Sequence, residues 1–278
     1  MKLRQWVVAS SLAMLVACTS STQEGTIGIQ RKQFLLLPAS QVDAMALQSY
    51  RGELSNAKQK GTLNTDKANL ERIRKIADRL IPQVAVFRRD ALAWSWEVNL
   101  ESRNELNAYC ASGGKIMFFT GIINQLKLTD DEIAAIMGHE MAHALREHGR
   151  ERISQAYAQQ AGMSILAAVT NMSAKEAGLV QMATQLALTL PHSRGQESEA
   201  DVMGLELLAR AGYNPNAAVT LWQKMASANK GGTPAFLSTH PSSTQRISDL
   251  NQKIAVVMTL YEAAKNSKSA VKQIVPRT

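Results

Sequence analysis

Two cysteines in 278 residues exclude a disulfide-stapled scaffold, and 16 glycines with seven prolines exclude a collagen-like repeat. No apolar run reaches the roughly 18 to 20 residues that a membrane-spanning helix needs. Charge is also sparse: 19% of residues are charged against 45% hydrophobic, which excludes an intrinsically disordered chain. Acidic residues are in deficit, 23 against 31 basic, giving a net charge of +8. The basic residues are nonetheless scattered, and none of the four Trp or five Tyr lies in a basic stripe, so no nucleic-acid partner is expected. What remains is a globular chain long enough for one or two domains with a sizeable core.

Lys2 and Arg4 precede an apolar stretch from Trp6 to Val16, too short for a span and suited to the core of a signal peptide. It ends in Leu15-Val16-Ala17-Cys18, which resembles the bacterial lipoprotein box, where cleavage leaves the cysteine as a lipid-bearing N-terminus. Residues 1–17 are therefore expected to be a signal peptide and Cys18 the lipidation site. Residues 18–40, polar and rich in Ser, Thr and Gln, are expected to be a lipid-anchored tether. After export only Cys110 remains as a thiol, expected to be buried and inert. Residues 41–265 are assigned to one domain and 266–278 to a C-terminal tail.

Within the domain, Leu70, Ile73, Ile76, Ala77 and Leu80 recur at helical spacing between Asp66 and Ile81, with Pro82 ending the pattern. Period-two alternation over Trp94 to Leu100 and a β-prone run at 115–119 after Gly113-Gly114 predict two or three strands. Thr129 and Glu132 form a capping-box pattern that predicts a helix from Asp130 into the 150s. Apolar stretches at 161–170 and 177–190 read as a helical pair, either core or a lid over a cleft. Further helices are expected over 197–211, stopped by Gly212, then after Asn214-Pro215, and from His240-Pro241 onward. The count gives an α+β fold, mostly helical with a small β-sheet beside the helix at 130.

The chemistry is carried by His139-Glu140-Met141-Ala142-His143. Imidazoles at i and i+4 stack on one helix face and can reach a single Zn²⁺ at roughly 2.1 Å. The Glu between them sits beside the ion without ligating it, placed to take a proton from the attacking water. A metzincin would carry Gly and His seven and ten residues after the first His; those positions hold Arg146 and Gly149, so that class is excluded. On a continuous helix His148 falls about 180° from His139, which predicts a helix-end or packing role. A second helix offers acids: Glu197 and Asp201 share a face, while Glu199 points roughly 200° away from Glu197.

His139-Glu140-x-x-His143, with Ser193-Arg194-x-x-Glu197-x-x-x-Asp201 some fifty residues on, resembles the gluzincin metallopeptidases related to HtpX, the CAAX prenyl protease and mitochondrial Oma. The lipoprotein leader points within that group to periplasmic members of the BepA, LoiP and YcaL type. The resemblance implies one Zn²⁺ per chain held by His139, His143 and Glu197, with Glu140 as general base and Asp201 and Arg194 supporting the ligands. It places substrate along Gly114, Lys115, Ile116 and Met117, read as an edge strand that holds extended peptide by β-augmentation. His240, in a His240-Pro241 motif with Arg246, is implied near the metal, either aiding the developing oxyanion or occluding the ion, with a capping role equally open. No helical-repeat segment follows Lys265, so a partner-binding domain of the BepA kind is not expected. The implied function is a zinc endopeptidase of the cell envelope, anchored at the inner leaflet of the outer membrane. It would act on misfolded or unassembled envelope proteins and would have the outer-membrane assembly machinery as a possible partner. The alternative is a chaperone-like assembly factor with little proteolysis.

Overall fold

The computed structural model of the chain describes residues 18–169, 192–228, 234–241 and 244–274. The signal peptide expected at 1–17 lies outside the described residues.

Two short strands, β1 (Cys18–Thr19) and β2 (Gln33–Phe34), pair antiparallel ahead of helix α1 (Ala39–Gln59). Residues 18–37 do not behave as the expected tether. Gln33 is fully buried and donates to the Arg146 carbonyl, Thr26 and Ile27 donate their amides to Glu206 at 2.9 and 3.1 Å, and Arg31 pairs with Glu151 at 2.6 Å. Polar side chains that looked like solvated linker instead satisfy buried partners on the domain.

Helix α2 (Lys67–Leu80) starts at Asp66, whose carboxylate accepts from the Asn69 amide at 3.0 Å, and buries the expected apolar stripe. Single 3₁₀ turns at Ile81–Val86 and Arg89–Ala93 lead into a sheet of β3 (Glu97–Glu101), β4 (Ala108–Ala111) and β5 (Lys115–Phe119). Its order is β3-β5-β4, with β3 parallel and β4 antiparallel to β5. The β4–β5 turn uses Gly113 and Gly114 at φ 77° and 79°, and a Cβ at Gly114 would lie 2.7 Å from the Trp96 ring. Short helix α3 (Thr120–Gln125) follows β5.

Helix α4 (Asp130–Leu145) begins with the expected capping box, Thr129 and Glu132 bonding each other's amides. From Glu132 to Leu145 it is buried on every side, as a central helix must be. It does not run into the 150s. Glu147 adopts a left-handed φ of 52°, and a new helix, α5 (His148–Val169), departs in another direction. That conformation costs about 1 kcal/mol for a non-glycine residue. It is held by Arg88 and Arg150, which grip the two Glu147 oxygens at 2.7 and 2.6 Å.

A second capping box, Ser193 with Gln196, starts α6 (Arg194–Arg210), followed by α7 (Ala217–Ala228), the single turn α8 (Ala235–Thr239) and α9 (Thr244–Ile274). Helix α9 continues through 266–274, where a tail was expected. Helices α4 and α6 cross at Gly138 and Gly204; a Cβ on Gly204 would stand 2.8 Å from the His139 nitrogen. No helix among the described residues is long and apolar enough to cross a membrane. Of the expected helical pair, 161–169 is the end of α5 and 170–191 lies outside the described residues, lid reading included.

Candidate active site

The close α4–α6 crossing brings the two motifs together. His139 and His143, one turn apart on α4, present their Nε2 atoms 3.1 Å from each other. From α6, Glu197 places Oε1 3.4 Å from His143 Nε2 and Oε2 3.5 Å from His139 Nε2. His240, just past α8, completes a buried group of four whose ligand atoms all lie within 4.8 Å of one another. Its Nδ1 stands 3.0 Å from Glu197 Oε1 and 3.3 Å from His139 Nε2, and its Nε2 stands 3.4 Å from Glu140 Oε1.

Asp201, one turn beyond Glu197, sits 3.1 Å from His139 Nδ1. The Asp201 carboxylate favours a proton on Nδ1, which leaves Nε2 as the nitrogen turned toward His143 and Glu197. Arg246, not Arg194, braces the acids: it forks onto Asp201 at 2.7 and 2.6 Å and reaches Glu197 Oε2 at 2.6 Å, stacked over Trp222. Arg194 lies exposed at the first turn of α6. The sequence signal for Arg246 was present only as its place six residues after His240.

The electrostatics favour positive charge at the point where these groups converge. Burial would push the Glu197 carboxyl up, but His240, His139 and His143 hold it well below the usual range, so it is ionised. Burial would lower His139, yet Asp201 and Glu197 raise it to about 9. Two imidazoles and an ionised carboxylate with a third imidazole nearby, all buried, form a donor set that suits a divalent cation such as Zn²⁺. Glu140 is buried beside this group, and burial raises its carboxyl, as suits a base that works near neutrality.

His148 does not lie opposite His139. The break at Glu147 turns it back so that its Nδ1 is 2.8 Å from His143 Nδ1, while its Nε2 is 2.9 Å from Glu199 Oε2. The expected strand assignment is also corrected. Gly114, Lys115, Ile116 and Met117 lie at the start of β5 or in its body, and β5 is the central strand: both its ladders are filled, and the strand is buried throughout. The Lys115 ammonium points to the Ser95 carbonyl and Glu97, away from the site. Among the described residues the edge strands are β3 and β4, and β4 residues 108–111 line a cavity of about 290 Å³ with Glu140, His143, His240 and the α1 residues Met45 and Tyr50. Cys110 within β4 is buried and its thiol is pushed well up by desolvation, which makes it inert.

Comparison with known proteins matches residues 67–254 to Peptidase family M48. The mitochondrial metalloendopeptidase OMA1 of Arabidopsis thaliana is 40% identical over 152 residues, which is 55% of this chain and 30% of the plant protein. Metalloprotease YcaL of Escherichia coli is 24% identical over 258 residues, 89% of this chain and 95% of its own length. Metalloprotease LoiP of the same organism is 24% identical over 260 residues, 92% and 98%. Of three mitochondrial relatives from plant and yeasts, the chain spans only 30 to 53% of the length.

Proposed function

The chain belongs to Peptidase family M48, and from that premise we propose that it is a zinc-dependent endopeptidase of the bacterial cell envelope that hydrolyses misfolded or unassembled envelope proteins. The observation that carries this reading is the convergence of His139, His143 and Glu197 beside Glu140 at the wall of a cavity bounded by a sheet edge. The envelope assignment draws on likeness to YcaL and LoiP, which pair with this chain over nearly their whole lengths. Cys18 as lipid-bearing residue and an outer-membrane anchorage complete the proposal.

His139, His143 and Glu197 would hold a divalent cation, which would supply polarisation of the scissile carbonyl and acidification of the attacking water. The chain's own residues supply the rest. The edge of β4, unpaired by any strand among the described residues, receives an extended segment of substrate by strand addition, which selects for unfolded chains because folded ones offer no free backbone. Glu140 takes the proton of the attacking water and returns it to the leaving amine. His240, with Nε2 3.4 Å from Glu140 Oε1, stands where it can donate to the tetrahedral oxyanion.

The test is cleavage of casein by the purified chain beside Glu140→Gln, with zinc measured on both. We expect one zinc in each and a loss of about 10² to 10⁴ in rate for the variant, in keeping with removal of a general base. Equal cleavage by both proteins, or no zinc in either, would overturn the proposal; zinc in both without cleavage would favour a binding factor.

A further inference from the structure

We propose that His148 and Glu199 are positioning residues that fix the second metal ligand, His143, through a two-step hydrogen-bonded chain. The inference rests on the reading of His143 as a ligand and adds residues that neither the motif spacing nor the family match assigns.

Proton bookkeeping along the chain leaves one arrangement. The Glu199 carboxylate accepts, so His148 Nε2, 2.9 Å away, carries a hydrogen. A neutral His148 then has a bare Nδ1, which at 2.8 Å accepts the hydrogen of His143 Nδ1. His143 Nε2 is left with its lone pair facing His139 Nε2 and Glu197. The tautomer that binds a cation is thus dictated from outside the site, as the Asp201 carboxylate 3.1 Å from His139 Nδ1 favours it for His139.

The far end of the chain is anchored. Glu199 is gripped by Arg31 at 2.7 Å and by Arg146 at 3.0 Å, and the Arg146 and His148 side chains are wholly buried. Nothing about this arrangement is a local consequence of α6. Glu199 faces away from Glu197 on its helix, and it meets His143 only because the chain turns at Glu147 and inserts the His148 ring between them. A metal ligand without such an outer partner is free to rotate and to present the wrong nitrogen, which in comparable sites weakens metal binding about 10- to 100-fold.

His148→Phe keeps the ring volume and removes both nitrogens; Glu199→Gln keeps the shape and removes the charge. Glu206→Gln is the structural control, since Glu206 secures Thr26 and Ile27 and touches no member of the chain. The readouts are the zinc dissociation constant by competition with a chromogenic chelator, and the visible absorption of the cobalt-substituted protein. We expect His148→Phe to weaken zinc about 10- to 100-fold with an altered cobalt spectrum. Glu199→Gln should move both in the same direction by less, and Glu206→Gln should lower the melting temperature and change neither. If His148→Phe does not fold, Glu199→Gln decides. Zinc affinity and cobalt spectrum within twofold of wild type in the folded variants would overturn the inference, as would equal weakening by Glu206→Gln. So would a wild type that binds two ions and a His148→Phe that binds one, which would assign His143, His148 and His192 to an ion of their own. A wild type that takes up no zinc overturns the metallopeptidase reading itself, which separates the two failures.

Discussion

Arg31 is a single side chain on which two buried carboxylates depend. Burial would push the Glu151 carboxyl up, but the Arg31 hydrogen bonds and the Gln196 amide hold it below its ordinary value. A carboxyl depressed in the folded state contributes stability above its unfolded value of about 4.3 and loses it as pH falls further. Arg31→Met removes the depression and leaves the burial. We expect it to cost about 2 kcal/mol at pH 7, less than the roughly 3 to 5 of a fully enclosed pair because the Arg31 side chain is 37% exposed. The Glu151 share should shrink as pH falls below the ordinary carboxylate value, while the share from Glu199, held at about 2 against burial by His148, Arg31 and Arg146, persists lower. Denaturant unfolding of both proteins between pH 3 and 8 measures it; a cost that grows on acidification would contradict the assignment. At this scale the sequence was half legible. His139, Glu140 and His143 are found by helical spacing, because they sit within a turn of one another, while Glu197 and Asp201 share a helix face by spacing and take their roles from the family resemblance. Arg31, Glu199 and His148 were missed or misplaced, and Arg246 was named only through the resemblance, because their carboxylate partners are 45 to 168 positions away in sequence.

Elements were legible where one segment decides its own form. Capped, periodic helices such as α2 and the start of α4 were readable from local residues, and Gly113-Gly114 marked a turn. The end of α4 was not, since Glu147 leaves the helix only with Arg88 and Arg150 on its carboxylate. Nor was the edge of the sheet: which of β4 and β5 is central depends on β3 pairing parallel to β5, and period-two alternation says nothing about neighbours. The α4–α6 crossing yields a sharper prediction. A methyl group on Gly204 would lie 2.8 Å from His139 N and 2.9 Å from Gly138 C, both backbone atoms that cannot swing aside. Gly204→Ala therefore separates the helices that carry His139 and Glu197. We expect a loss of about 1 to 3 kcal/mol, typical of overpacking, together with weaker zinc binding. An exposed Gly52→Ala in α1, where nothing lies within 4 Å, should stabilise or leave stability unchanged. Calorimetry and chelator competition on the pair decide it; a Gly204→Ala protein with unchanged zinc affinity would show that the crossing distance does not set the site.

For the whole molecule, the N-terminal segment is tied to the chemistry. Residues 20–37 were expected to be slack, yet they supply Ser20, Thr22 and the Arg31 carbonyl to the buried Arg146 guanidinium, two amides to Glu206, and the Leu36 and Leu37 amides to Ser154. A slack tether can be deleted without consequence, because it buries nothing. Deleting this one strips the segment's hydrogen bonds from the buried Arg146 guanidinium, which keeps only Glu199, and from the buried Glu206 carboxylate, which keeps only Arg210, and removes Arg31 from Glu199 at the end of the chain to His143. Each of these hydrogen bonds contributes roughly 0.5 to 1.5 kcal/mol, so the loss should total at least about 3. In a protein of this size that corresponds to a fall of roughly 6 to 12 °C in melting temperature. We therefore expect a chain starting at residue 38 to melt lower than one starting at residue 18 by that margin and to bind zinc more weakly. Differential scanning calorimetry of the two metal-free proteins, followed by zinc titration, measures both. Equal melting temperatures would return the segment to the role of a tether. Lower melting with unchanged zinc affinity would keep the docking and cut its link to the metal site.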